Sequence, residues 1–474
     1  MTLPAKFVER VLRDLGGTEG AALCAALDAE PPVSVRLNPA KTGAETVSAG
    51  PDAGLPVPEA AGLPALAIAG RVPWSRDGRY LAVRPSFTLD PDFHAGAYYV
   101  QEASSQFVGH LLAAVRTEGA RILDLCAAPG GKTTLYASLA GPDGLVVANE
   151  IDRRRASVLA DNVRKWGTGN VAVTTCEPRA LGDFEAWFDV VAVDAPCSGE
   201  GMFRKDPDAR GEWSEGNVKQ CAARQDEILR EAWRALRPGG TLVYSTCTFN
   251  RDEDEGALER MAAWAGDEIA ESEETAVEDA WGIVCGRVGA FRTFRFYPHR
   301  TCGEGFFAAV ARKSFDAGGR VRTPKARRTV FAAVDRKTAG ELARWVRNPG
   351  GMHFAAVADT CYAWYAAQAD AVRTLSEALP VIYSGVALGQ VFKGVLKPDP
   401  ALAFFDGLNR GALPAAELDD EETLRFLRRQ DIAAGGLAEG MNLVCSRGRA
   451  LGFAKRIGAR VNNLYPNSLR IIKQ

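Results

Sequence analysis

The sequence predicts an α/β protein built on a doubly wound, mainly parallel sheet, with smaller modules at either end. Two observations carry this. From residue 120 onward, short apolar runs alternate with helical patterns, the signature of strands buried on both faces and joined by crossover helices. The chain also has 474 residues, too many for one ordinary core, so two to four domains are expected.

In chain order, residues 1–30 read as one or two short helices: Phe7, Val8, Val11, Leu12 and Leu15 keep helical spacing and Gly16-Gly17 ends the run. Val33 to Leu37 reads as a strand, and 38–73, rich in Pro, Gly and Ala, as loops or an insertion. The alternating region follows. Strands are expected at 120–126, 144–150, 170–175, 188–196 and 241–247, with helices at 133–139, 153–166 and 216–236. Pro238-Gly239-Gly240 stops the last helix. Aromatic-rich 290–297 and 305–312 read as two more strands. Polar, basic 313–330 reads as a linker, and 331–474 as a separate α+β module.

Composition excludes several classes. Hydrophobic residues make up 47% and charged residues 24%, ordinary values for a globular chain. There is neither a long apolar run for a membrane span nor a signal-peptide stretch after Met1, so a cytoplasmic protein is expected. Ten cysteines without a CxxC pair, and only four histidines, make a structural zinc improbable, and no metal is expected. The formal charge of −2 gives no global attraction for nucleic acid, but its distribution is uneven. Residues 252–279 hold twelve acids against Arg260 alone, whereas 446–474 hold seven bases and no acid, and 320–328 add five bases. Such patches suit contact with a phosphate backbone; a solvated face and a flexible linker are the plain alternatives.

In a doubly wound sheet, ligands sit at the carboxyl ends of the strands, which singles out four loops. The first runs Asp124-Leu125-Cys126-Ala127-Ala128-Pro129-Gly130-Gly131-Lys132-Thr133. It lacks the GxGxxG of a nicotinamide site, and a Walker A loop would need glycine at Cys126. Its small residues let the backbone approach a ligand without a pyrophosphate; a tight strand–helix turn is the alternative. Glu150, ending the second strand, is placed to accept both hydroxyls of a ribose. Glu177 and Asp194 follow the third and fourth strands, and four acids at successive strand ends describe a nucleoside pocket. The last two loops are Asp194-Ala195-Pro196-Cys197 and Ser245-Thr246-Cys247. Neighbouring strands would bring Cys197 and Cys247 together, and two such thiols without a metal or redox motif suggest covalent catalysis.

These motifs resemble a known family, the RNA 5-methylcytosine methyltransferases of the NOL1/NOP2/Sun type, and within it the bacterial branch acting on small-subunit ribosomal RNA. LDLCAAPGGKTT, DAPCSGEGMFRKDP (194–207) and YSTCT (244–248) look like its cofactor, Pro-Cys and Thr-Cys motifs. PVSVRLN (32–38), GAYYVQEASSQ (96–106) and RFYPHRTCGEGFF (295–307) look like further family segments, and 452–470 is similar to the branch's C-terminal module, which resembles a PUA domain. Two residues depart from the family pattern: Glu177 stands where aspartate is common, and Ala103 where proline is usual.

The resemblance implies a class I methyltransferase with a Rossmann-like sheet. It divides the chain into an N-terminal RNA-binding region (1–95), an S-adenosylmethionine-dependent methyltransferase domain (96–315), a linker with a first C-terminal unit (316–390) and a PUA-like RNA-binding domain (391–474). It implies S-adenosylmethionine as cofactor, held by Cys126, Ala127, Ala128, Pro129, Gly130, Gly131, Lys132, Glu150, Glu177 and Asp194. Cys247 would be the nucleophile, Cys197 would serve product release, and Asp194 beside Lys132 would contact the base. The implied partner is RNA, 16S rRNA or the 30S subunit, met by a monomer. A transfer-RNA cytosine methyltransferase and a non-catalytic RNA-binding assembly factor are the alternatives.

Overall fold

The computed structural model describes residues 2–43 and 63–472. Most of the expected 38–73 insertion, and Lys473 of the basic tail, lie outside them.

At the centre is a mixed sheet of ten strands. Along its main path the strands run 284–288, 291–296, 306–313, 236–246, 188–194, 121–124, 145–149, 171–174 and 381–384. The five middle strands from Leu236–Thr246 to Val171–Thr174 are parallel. Successive residues face opposite layers. Leu123, Val147 and Val191 pack with Leu229 and Ala232 of the helix Glu215–Ala235. Ile122, Val146 and Val190 pack with Leu135, Leu159 and Val163 of the helices Gly131–Ala140 and Arg153–Trp166. Burial on both faces is why these strands read as continuous apolar runs.

Three antiparallel strands extend the sheet beyond Leu236–Thr246. The outermost, Val284–Val288, was not expected: its middle residues are exposed and it carries no apolar alternation. At the opposite edge Val381–Ser384 pairs antiparallel with Val171–Thr174, and the helix Ala369–Ala378 places Val372 and Leu375 in the central core. This stretch of the expected C-terminal part therefore completes the central layers. Residues 314–331 form no helix or strand.

The N-terminal part has helices Ala5–Leu15 and Gly17–Ala26 and a four-stranded sheet ordered 68–71, 78–81, 33–37 and 98–99. Its strand Val33–Leu37 delivers Arg36 to the central domain. There the guanidinium donates to Gln101 Oε1 (2.8 Å), the Gly131 carbonyl (3.1 Å) and Thr134 Oγ1 (2.6 Å), with its carbon 4.4 Å from the Trp166 ring centroid. Two further sheets, one over 332–398 and one over 415–463, form the C-terminal part. The last joins the N-terminal part through Arg447, paired with Asp92 (2.9 Å) and Asp90 (3.3 Å), and Arg449, paired with Asp92 (2.8 Å).

Candidate active site

The strand Phe188–Asp194 lies beside Leu236–Thr246 with Asp194 opposite Ser245, so both cysteine loops leave the same edge of the sheet. Cys197 and Cys247 meet there with their sulfurs 3.3 Å apart, both as free thiols. The hydrogen bond to Cys247, reinforced by burial, pushes the Cys197 thiol well above its ordinary range. Next to them Lys132 Nζ pairs with Asp194 Oδ2 at 2.8 Å, and Ser245 Oγ donates to Asp194 Oδ1 at 2.8 Å. Burial works against the Lys132 charge, but Asp194 outweighs it and the ammonium is held above its usual value.

The first loop turns sharply at Gly130, where φ is 109° and a Cβ would lie 2.9 Å from Leu159 Cδ1. Only glycine takes that turn without strain. Tyr99 and Asn162 donate to the Pro129 carbonyl (3.1 and 2.9 Å), and Arg155 to that of Ala128 (3.0 Å). Under the loop Thr133 Oγ1 donates to Asp124 Oδ2 at 2.6 Å, and burial raises the Asp124 carboxyl to about 7.

A cavity of about 170 Å³ opens between this loop and the N-terminal part. Cys126, Ala127, Ala128, Pro129, Gly131, Lys132 and Asp194 line it together with Asp124. Gly130, Glu150, Glu177, Cys197 and Cys247 do not. Glu150 is buried at its strand end, accepting the Asp152 N–H at 3.0 Å with Arg155 at 3.3 Å. Glu177 is exposed before a short helix. The opposite wall carries Tyr99, Gln101, Glu102 and Ser105, which spacing alone did not single out; they fall in the 96–106 family-like segment.

The sequence also gave no warning of the polar network behind the cysteines. Glu253 Oε2 accepts the Ser198 N–H and Gln225 Nε2, each at 2.9 Å. Glu200 Oε2 accepts the Thr248 hydroxyl (2.7 Å) and the Phe249 N–H (2.9 Å). Asn250 Nδ2 donates to Glu253 Oε1 at 2.7 Å and Glu200 Oε1 at 3.1 Å. The loops are also in close backbone contact: the Gly201 N–H donates to the Cys247 carbonyl at 2.8 Å, and a Cβ on Gly201 would lie 2.5 Å from the Gly305 carbonyl oxygen.

The basic patches are partly committed to structure. Arg447 and Arg449 hold the N-terminal contact, and Arg456 donates to the Leu437 carbonyl at 2.6 Å. Arg328 donates to the Leu379 carbonyl at 2.8 Å. Arg320, Arg322, Lys325, Lys455, Arg460 and Arg470 are exposed.

A family profile described as 16S rRNA methyltransferase RsmB/F matches residues 111–312. Profiles for the N-terminal domain of 16S rRNA methyltransferase RsmF and for the methyltransferase RsmF PUA domain match 3–103 and 414–471. The chain is 32% identical to ribosomal RNA small subunit methyltransferase F of Shewanella loihica, over 84% of this chain and 83% of that protein. The same enzyme of Erwinia tasmaniensis is 31% identical over 84% of each. The chain belongs to the ribosomal RNA small subunit methyltransferase F family. Among solved structures, a methyltransferase homologue from Pyrococcus horikoshii superposes with a TM-score of 0.52 at 27% identity, covering 65% of this chain and 94% of that one. As a family member the chain combines a class I methyltransferase domain with an RsmF N-terminal domain and a PUA domain. Its cofactor is S-adenosylmethionine, and the small-residue loop and the adjoining cavity with its carboxylates Asp124 and Asp194 suit that ligand. Among the described residues no helix is long and apolar enough to cross a membrane.

Proposed function

We propose that the protein methylates carbon 5 of a cytosine in RNA, with 16S ribosomal RNA, free or in the 30S subunit, as substrate, through a transient bond between Cys247 and cytosine carbon 6. The observation supporting this most directly is the 3.3 Å approach of Cys197 and Cys247 beside the Lys132–Asp194 pair.

Carbon 5 of cytosine is too weak a nucleophile to take a methyl group unaided. Addition of the Cys247 thiolate to carbon 6 moves an electron pair toward carbon 5 and makes it enamine-like. Bound S-adenosylmethionine supplies an electrophilic methyl group. Loss of the carbon-5 proton to a base then drives the ring electrons back and expels the Cys247 thiolate. With Cys247 as the thiolate, the Cys197 thiol 3.3 Å away is the donor of the pair, and a donated hydrogen bond stabilises a thiolate. Cys197 also stands next to the adduct it would help to resolve. Asp194, oriented by Lys132 and Ser245, would hold the amino group or N3 of the base. Cys126 to Lys132, with Glu150, Glu177 and Asp194, would hold the cofactor. The target base must leave its stack, at a cost of a few kcal/mol. The N-terminal domain, the exposed bases of 320–328 and the PUA domain would hold the flanking RNA by phosphate and shape contacts.

The deciding experiment is methyl-label transfer to purified 16S RNA, 30S particles and transfer RNA, with Cys247→Ser as control. Label recovered as 5-methylcytidine from one small-subunit substrate, and lost in the variant, is the expected result. Label only in transfer RNA would move the substrate, and none anywhere would overturn the reading.

A further inference from the structure

The hairpin of strands Val386–Phe392 and Val395–Pro398 takes no part in the site above and lies outside all three matched profiles. Its register pairs Phe392 with Val395 and Gln390 with Lys397, and strand alternation puts these four side chains on one face. That face is open to solvent: Phe392 is 71% and Val395 65% exposed. The other face is anchored. Val391 and Leu396 pack with Leu342, and the Leu396 N–H donates to Glu341 Oε1 at 3.1 Å.

The turn, Lys393-Gly394, has both residues at positive φ, 52° and 80°, as a two-residue type I′ hairpin requires. Asparagine would sit there with less strain than lysine. The lysine that is present lies with Nζ 5.4 Å from the Phe392 ring centroid. Lys337 reaches the same turn from the helix Arg336–Ala343: a Cβ on Gly394 would be 3.5 Å from its Nζ. Residues 380–398 contain no acid. An exposed aromatic ring on an anchored tip, ringed by lysines, has the chemistry of a platform for an unpaired base.

We propose that this hairpin binds single-stranded substrate RNA next to the target, stacking a base on Phe392 and Val395 while Lys337, Lys393 and Lys397 meet the flanking phosphates; the proposal rests on the RNA reading above. An acidic protein surface is the competing occupant, and it makes RNA affinity indifferent to Phe392.

The test uses the full chain and a fluorescein-labelled RNA of about 12 nucleotides, single-stranded and as a duplex, followed by anisotropy. Phe392→Ala weakens single-strand binding about tenfold and leaves duplex binding unchanged, while Phe392→Trp retains it. Lys393→Gly with Lys397→Gln lowers the slope of log affinity against log salt by about 1 to 2. Equal single-strand affinity in wild type and Phe392→Ala, or an equal loss for the duplex, overturns the hairpin assignment; Cys247-dependent methylation of 16S RNA in the same preparations then leaves the proposed activity standing. Wild type that neither binds nor methylates RNA overturns both. An unchanged melting temperature for Phe392→Ala shows that a contact was lost and not the fold.

Discussion

The Ser198 N–H donates to Glu253 Oε2 across 2.9 Å, so the loop carrying Cys197 hangs on a carboxylate six residues beyond Cys247. Glu253 is wholly buried, and burial raises its carboxyl above the usual range, which leaves hydrogen-bond geometry as the use of this side chain. Glu253→Ala takes the acceptor from the Ser198 amide and one hydrogen bond each from Gln225 and Asn250. A misplacement of about 1 Å costs on the order of a hundredfold in rate. The expected outcome is a fall in kcat of that size with the KM for S-adenosylmethionine unchanged, partly rescued by Glu253→Gln. A normal kcat in Glu253→Ala would remove the network from the argument.

The two cysteines should fail differently. If Cys247 forms the adduct and Cys197 helps resolve it, Cys197→Ser stalls after addition. Protein bonded to RNA then accumulates and survives denaturing electrophoresis. Cys247→Ser gives no such band, and neither does Cys197→Ser carrying Cys247→Ser as well. Absence of the band in Cys197→Ser, with activity also lost, would contradict a role in release.

Arg36 joins the N-terminal sheet to Gly131 and Thr134 by two hydrogen bonds and a contact with Trp166, and holds Gln101 by a third. Arg36→Ala leaves buried acceptors unsatisfied and should cost about 3 kcal/mol, lowering the melting temperature by roughly 3 °C. Arg36→Lys should not rescue it, because an ammonium cannot reproduce the planar fork or the stacking. A thermal scan with and without cofactor checks this, and an unchanged melting temperature would refute it.

What the sequence disclosed, and what it hid, follows from how far each signal reaches along the chain. The parallel strands were legible because burial on both faces writes an uninterrupted apolar run. Cys197 and Cys247 could be paired because neighbouring parallel strands must end at one edge. Val381–Ser384 was missed as a member of the central sheet: its partner Val171–Thr174 lies some two hundred residues earlier, and pairing over that distance leaves no local pattern. The count of twelve acids over 252–279 carried no sign of burial, yet Glu253 and Asp254 at its start are fully buried, held by Asn250, Ser198, Thr246 and Arg295. The count of bases in the tail likewise did not show that Arg447 and Arg449 pair with Asp90 and Asp92. Charge counts do not say which charges face a partner inside the molecule.

Lys41 makes stability depend on pH at the junction of all three parts of the chain. Its Nζ donates to the Ala95 carbonyl at 2.8 Å and the Lys165 carbonyl at 2.5 Å, and lies 5.6 Å from the Phe404 ring centroid. Burial lowers its value from 10.5 to about 7; Asp406 opposes the shift and Lys165 adds to it. Between those two values the unfolded chain holds a proton that the folded chain has released. Stability therefore rises with pH across that interval, and the deficit is largest below pH 7. Lys41→Met removes this contribution. Melting temperatures of wild type and variant, taken near the two ends of the interval, should differ in the variant's favour at the lower pH and converge or cross at the higher. The same difference at both ends would mean that Lys41 keeps its ordinary value in the folded protein.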